Sequence, residues 1–377
     1  MAMKNQGWHV DVITQADFGR YYPFDSDDTW ASVRESIINI YGVRDRGILS
    51  KLCFIDADRL RPLVWSVKAA VKGIRLARSR KYDYIFSRVA PLYGHLPALL
   101  VSFFIKLPWI ANWSDPMPSI KAPAPYGNGP GAKISFLMDK YCNTVIKRAS
   151  WHTFPCKRLR EYFRLCFDGF EMKSSVVPHV ALRKFSSTVV PMADSFTLFH
   201  MGHMTGRDPG VFLGGIRRFL DRRKAVGMRI SFLGEPSENV RRCAEALNLT
   251  EFISYTDFLT YTEAQTMAAR AAILVVIEAS CEEGIFLPSK FIDFVQTGRP
   301  ILAVSPREGT LNDILSLGGG IVADALSVQS VADAVDKFYA AWEAGELETK
   351  LGSWRLYDMF DEEKVIAAFY RDIQCIQ

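Results

Sequence analysis

No stretch of this sequence is apolar for long enough to cross a bilayer. The longest apolar run, Pro97 to Trp113, is broken by Lys106 and Pro108, and neither side of the break reaches the roughly 20 residues that a spanning helix needs. Met1 to Gly7 lacks the basic-then-apolar layout of a secretory leader, so a cytoplasmic location is expected. Cysteine is sparse: seven are scattered, and none are spaced as Cys-x-x-Cys, which argues against a disulfide framework or a structural zinc site. A reducing compartment fits. The excess of basic charge is small, a net +5, and no Lys/Arg run is interleaved with stacking aromatics, so nucleic acid is not an expected partner. What remains is the balance of a globular protein, 49% apolar and 23% charged. At 377 residues the chain is too long for one core and suits two.

Short β-rich apolar runs alternate with segments of helical period. The first series of expected strands is Val10–Thr14, Tyr84–Phe86, Trp109–Asn112, Trp151–Phe154 and Ser175–Val177. The second is Phe196–Met201, Arg229–Leu233, Ile253–Tyr255, Ala272–Ile277, Pro300–Val304 and Gly320–Val322. Helical segments such as Val211–Arg223 and Leu287–Val295 lie between them. Parallel strands need crossover connections, so this alternation predicts an α/β fold of two Rossmann-like units with parallel sheets facing a cleft. The expected division is residues 1–178, a Pro- and Ser-containing linker at 179–195, residues 196–355, and a C-terminal helix at 356–377 that returns to the first domain. The beginning is unusual. Ala2 to Gln6 read as the last turn of a helix closed by Gly7 and followed at once by a strand. The first strand of the sheet, with its glycine-rich loop, is expected to be missing, or to be supplied from upstream of Met1.

In open parallel sheets ligands bind beyond the carboxyl ends of the strands, which directs attention to three segments. After the first strand of the second series come Gly202, His203, Gly206 and Arg207, a turn that admits a pyrophosphate backbone-close and offers a guanidinium for it. After Ala272–Ile277 come Glu282, Glu283 and Gly284, then Pro288, Ser289 and Lys290, where a helix opens with partial positive charge and a lysine. Asp293 lies one turn beyond Lys290 on the same face, a carboxylate able to accept from a ribose diol. The plainer readings are an ordinary turn at Arg207 and a surface ion pair between Lys290 and Asp293. His95 is a lesser candidate, facing the cleft or capping a helix. Val64 to Arg78 places Val64, Val67, Val71 and Ile74 beside Lys68, Lys72, Arg75 and Arg78, a basic amphipathic helix suited either to peripheral contact with the inner face of a membrane or to packing on its own sheet.

The order of these elements resembles the nucleotide-sugar domain of retaining family-4 GT-B glycosyltransferases. The segments are Gly202 to Arg207, Ser231 to Gly234, and Pro288-Ser-Lys-Phe-Ile-Asp-Phe-Val-Gln-Thr-Gly-Arg-Pro-Ile-Leu302. The similarity covers most of Phe196 to Asp324. Gly7 to Thr14 and Pro108 to Pro116 are similar to N-terminal segments of that family, in the right order. The resemblance implies transfer of a sugar from a nucleotide-diphosphate donor to a saccharide, lipid-linked or other acceptor, with retention, no metal and no cofactor beyond the donor itself. By the same resemblance Arg207 and Lys290 hold the diphosphate, Gly202 faces the donor, Asp293 replaces the ribose-binding glutamate, and Asp115 lies on the acceptor side. The sequence departs from the family in two further respects. Ile285 stands where the first of the paired glutamates is expected, with Glu282 and Glu283 slightly upstream, and Ser114 or Asp115 replaces the acceptor-loop histidine. A catalytically silent GT-B protein that binds a partner and a nucleotide-sugar epimerase are the competing readings.

Overall fold

The computed structural model describes residues 2–15, 39–43, 57–89, 92–167, 173–181, 195–204, 206–223, 227–234 and 238–376. The chain forms two units: Met1–Pro123 with Gly127–Val177 and Ile366–Gln377, and Pro178–Val365 with Ala124–Tyr126. The first division therefore falls at Val177–Pro178; most of the expected linker, 182–194, lies outside the described residues.

In the first unit a one-turn helix, α1 (Ala2–Asn5), ends at Gly7, whose φ of 80° is open to glycine without a Cβ clash. It leads into β1 (Asp11–Gln15), which pairs in parallel with β2 (Asn39–Val43). The sequence reading missed β2, because Asn39 and Gly42 weaken its strand signal. A long helix, α2 (Ala57–Ser79), follows. A second sheet then runs β3 (Ile85–Arg88), β4 (Trp109–Asn112), β5 (Trp151–Phe154) and β6 (Ser174–Val176), parallel and in sequence order. Its crossovers are α3 (Leu96–Ser102), α4 (Phe136–Arg148) and α5 (Lys157–Cys166). In α5, Leu159, Tyr162, Phe163 and Cys166 recur at helical spacing and are buried. Residues Ile366–Gln377, most of the helix Glu362–Ile373, complete this unit. Phe369 and Ile373 cluster there with Ile110, Trp8 and Trp151.

The basic amphipathic helix packs differently from the sequence expectation. Its inward face carries the small residues Ser66, Ala69 and Ala70, whereas Val67 and Val71, together with Leu63, are exposed by 42–53%. Small side chains let the helix lie close to its neighbours, and the larger valines are left outside. His95 does not face solvent; it stands at the N-cap position of α3, but its side chain makes no cap hydrogen bond. It is fully buried, its Nδ1 2.7 Å from Ser87 Oγ, and burial followed by the charge of His152 lowers its pKa to about 3.

The second unit holds β7 (Thr197–Met201), β8 (Arg229–Leu233), β9 (Ile253–Thr256), β10 (Ile273–Ile277), β12 (Ile301–Ser305) and β14 (Gly320–Asp324). Two-residue strands, β11 (Glu283–Gly284) and β13 (Glu308–Gly309), pair separately. The main sheet is parallel throughout, ordered β14-β12-β10-β7-β8-β9. Numbered from β7 within the unit, this is the doubly wound order 3-2-1-4-5-6. Every residue of β10 and β12 is buried, as expected for strands covered on both faces. The covering helices are α6 (Gly210–Arg222), α7 (Glu238–Ala246), α8 (Tyr261–Arg270), α9 (Ser289–Val295), α10 (Thr310–Leu315) and α11 (Val328–Glu343). On α6, Phe212, Ile216 and Phe219 join Val331, Val335 and Phe338 of α11 in one core. Gly215 permits this approach, since a Cβ there would lie 2.4 Å from Val331. Residues 356–365, expected to return to the first domain, belong instead to this unit: Phe360 packs on Phe291, centroids 5.9 Å apart, and Leu356 approaches Gly319.

Candidate donor site in the second unit

The strand order reverses between β7 and β10, so the crevice at their carboxyl ends is where a doubly wound sheet binds its ligand. β7 ends at Met201, and Gly202 follows with φ +95°, a conformation that L side chains rarely adopt. Lys290, from the first turn of α9, reaches this turn: its Nζ donates to Met201 O at 2.7 Å. A Cβ on Gly202 would sit 3.1 Å from that Nζ. Glycine is required here twice, for the backbone angle and for the lysine.

Arg207 comes to the same place. Its Nη1 donates to His203 O at 2.7 Å, while its Nε is buried with no acceptor among the described residues. Burial, and then the charge of Arg207, lower the Lys290 pKa to about 7. Two cations are held together here and partly desolvated. Gly206 has φ +72°, and Tyr126 packs beside it and against Phe286, centroids 5.3 Å apart.

The carboxylate that the structure brings to this cluster is Glu278, directly after β10. It accepts a short hydrogen bond from Ser305 Oγ. Burial pushes its pKa up to about 7, against the hydrogen bond from Ser305 and the charge of Arg207. Sequence reasoning passed over Glu278 for Glu282 and Glu283. Both of those are exposed, and Glu283 belongs to the small β11–β13 pair. The signal that could have found Glu278 is its place as the first polar residue after a wholly apolar strand at the switch point.

The other sequence candidates divide. Ser289 is exposed at the start of α9, which has only seven residues. Asp293 lies on α9 with Lys290 but is directed to a different network. It accepts from Tyr261 Oη at 2.8 Å and from Gln296 Nε2 at 3.3 Å. Burial raises its pKa to about 6, opposed by the Tyr261 hydrogen bond. The i,i+3 ion pair with Lys290 is not formed. The exposed His203 rests its ring near Phe258, centroids 5.6 Å apart, and contributes its carbonyl to Arg207. Asp115 belongs to the first unit, where burial raises its pKa against the charge of Arg88. His200, which no sequence pattern marked, lies in β7 with Nδ1 3.0 Å from Val275 O. Burial first, and the charge of Lys290 second, lower its pKa well below the ordinary imidazole value. Among the described residues no group of three or more His, Cys, Asp or Glu could hold a metal ion.

The whole chain superposes on a glycosyltransferase from Rickettsia africae, with a TM-score of 0.67, 10% identity, and coverage of 100% of this chain and 92% of that one. The fold is that of the GT-B glycosyltransferases. The lipopolysaccharide outer core galactosyltransferase WaaB is similar at a TM-score of 0.60 and 11% identity, covering 98% of this chain and all of that one. The pneumococcal O-GlcNAc transferase GtfA, solved in complex with UDP and GlcNAc, is similar at 0.57 and 10% identity over 82% of this chain and 59% of that one. No protein-family model and no curated protein sequence matches the chain. In GT-B terms, Lys290, Arg207 and Glu278 stand at the switch point of the C-terminal Rossmann-like domain.

Proposed function

We propose that the chain is a glycosyltransferase that moves a sugar from a nucleotide-diphosphate donor to a saccharide or lipid-linked acceptor, with retention as in family 4. The observation that carries this reading is the pair of cations at the β7–β10 switch point, Lys290 with its pKa lowered to about 7 and Arg207 with an unanswered buried N–H. A diphosphate would bring negative charge to both cations. It would return Lys290 to its charged form and accept from Arg207 Nε, and both interactions strengthen as the nucleotide diphosphate departs with its full charge. Gly202 and Gly206 leave the backbone accessible, and Glu278 offers a carboxyl in the same cluster, poised near neutrality.

Asp293 takes the ribose in this reading, exchanging its hydrogen bond from Tyr261 for ones from the diol, and Asp115 serves the acceptor side. The donor is a substrate; no metal or cofactor is assigned a role. A lipid-linked acceptor would agree with peripheral membrane contact through α2, whose exposed Leu63, Val67 and Val71 lie on a helix bearing Lys68, Lys72 and Arg75. No helix among the described residues is long and apolar enough to cross a membrane. The exposure of Glu282 and Glu283 favours one second reading, a silent GT-B protein that binds a nucleotide without turning over a donor. A panel of nucleotide sugars incubated with the purified protein separates the two. Donor consumption supports transfer, whereas nucleotide binding without hydrolysis or transfer supports the silent reading.

A further inference from the structure

β14 ends the six-stranded sheet of the second unit and pairs with β12 alone. Ile301 N donates to Gly319 O, and Ala325 N to Ser305 O. In this parallel ladder Ile321 and Ala323 therefore turn their backbone groups to β12, while Gly320, Val322 and Asp324 turn theirs outward. Asp324 is closed off: its N–H donates to Ser330 Oγ at 3.0 Å, and its C=O accepts from Ser327 N at 3.0 Å. The outward groups of Gly320 and Val322 have no hydrogen-bond partner among the described residues.

Natural edge strands are guarded by lysine, proline or a bulge. The strand Gly-Ile-Val-Ala-Asp has none of these, and its single charge, Asp324, is paired with Arg307 at 2.8 Å. An exposed leucine stands beyond each end, Leu317 at 63% and Leu326 at 70%. Beside the edge, between β14 and α11, lies a cavity of about 310 Å³ lined by Ile321, Val322, Ser330, Asp333, Ala334 and Lys337. These features complement themselves under a twofold axis through Ile321. Laid antiparallel, β14 of one copy sets Gly320 opposite Val322 of the other, and the two exchange both hydrogen bonds, so each open N–H and C=O is answered. The Ile321 pair takes the closer, non-hydrogen-bonded spacing, about 4.5 Å between Cα atoms, and its side chains meet in the cavity. The Leu326 end of one copy meets the Leu317 end of the other, and the Lys337 end of one α11 meets the Asp333 end of its counterpart. A shift that sets Val322 opposite Val322 would put Gly320 against Asp324, whose groups are already bonded.

We propose that β14 is a self-association edge, through which two copies of the chain pair antiparallel and join their six-stranded sheets into one. A second copy fits this edge better than a foreign extended peptide, because the leucines at both ends and the opposite charges on α11 are matched by the same surface turned round. The pairing is short, so the dimer is weak and depends on concentration. It does not rest on the donor-site reading, since none of these residues belongs to that site.

The test is analytical ultracentrifugation of the 377-residue protein in reducing buffer, from about 1 to about 300 µM, the range in which a small interface assembles. A reversible shift from monomer to dimer mass is expected. Val322→Pro removes the outward N–H but no bond to β12, and Leu326→Lys replaces an apolar contact with a charge. Each should raise the dimer dissociation constant about tenfold or more, while circular dichroism and the melting temperature stay near the parent's. Crosslinking reads the register. Ile321→Cys should oxidise to a disulfide-linked dimer above the parent's background. Val322→Cys should not, because its Cα would lie diagonally about 7–8 Å from its counterpart, beyond the reach of a disulfide. A protein that stays monomeric across the range, a dimer indifferent to both Val322→Pro and Leu326→Lys, or crosslinking through Val322→Cys in place of Ile321→Cys would overturn the proposal.

Discussion

Replacing Lys290 with methionine should weaken nucleotide-diphosphate binding and stabilise the fold at the same time. Lowering the Lys290 pKa from 10.5 to about 7 corresponds to a penalty of at most about 5 kcal/mol for keeping the ammonium charged in the folded protein. Methionine removes that penalty and fills much of the same space, but it leaves Met201 O without the donor it has at 2.7 Å, a loss of about 1–3 kcal/mol. A net gain of about 2–4 kcal/mol is expected below pH 7. The sign with pH follows from linkage: the folded protein binds fewer protons than the unfolded chain between about 7 and 10.5, so the parent gains stability across that window as pH rises. The advantage of the variant should therefore be full at pH 6 and absent above pH 10.5. Urea denaturation at several pH values measures it. Calorimetry supplies the second half: the parent should take up about one proton on binding a nucleotide diphosphate at pH 8, as Lys290 is recharged, beyond any exchanged by the ligand. The variant should take up none through this site and bind about 10- to 150-fold more weakly, the equivalent of about 1.5–3 kcal/mol. A variant less stable than the parent at pH 6, or one that binds the ligand equally well, would refute the reasoning.

Arg207→Ala should weaken nucleotide diphosphates by a similar factor while leaving nucleosides nearly unaffected, which competition binding checks. Asp293→Ala should penalise nucleoside and nucleotide alike; a loss confined to the diphosphate would remove the ribose assignment. Glu278→Gln should raise stability relative to the parent increasingly as pH climbs from 4.5 through about 7, because the raised carboxyl pKa makes ionisation costly in the fold; thermal melts at pH 4.5 and 8 test the sign. Arg299→Met strands Glu348, whose Oε1 lies 2.5 Å from a guanidinium only 3% exposed, and should destabilise the second unit by about 3–5 kcal/mol in chemical denaturation.

Alternation of apolar strands with crossover helices was enough to show two parallel α/β units, because parallel strands cannot be joined otherwise and their burial on both faces leaves continuous apolar runs. Ten of the strands seen in the structure overlap the expected first-series and second-series segments from Tyr84 onward, since Val-, Ile- and Phe-rich runs between turn residues carry that signal locally. The positions of Gly202, Gly206, Arg207 and Lys290 beside a strand end or a helix start were legible for the same reason. What the local sequence did not carry was the choice among carboxylates. Glu278, Glu282 and Glu283 are separated by at most five positions, yet Glu278 alone of the three is buried beside Ser305 and within reach of Arg207's charge. Nor did helical spacing reveal that Asp293 turns to Tyr261, 32 residues away in the chain, instead of pairing with Lys290. The exposed face of α2 was hidden likewise, because periodicity marks an apolar stripe but not which stripe the neighbouring strands and helix leave room for. The sequence by itself determined most of the elements and the residues capable of chemistry, through local propensity and spacing. Which of them share a site was decided only by the tertiary structure, because burial and charge coupling depend on distances across strands that the order of residues does not contain.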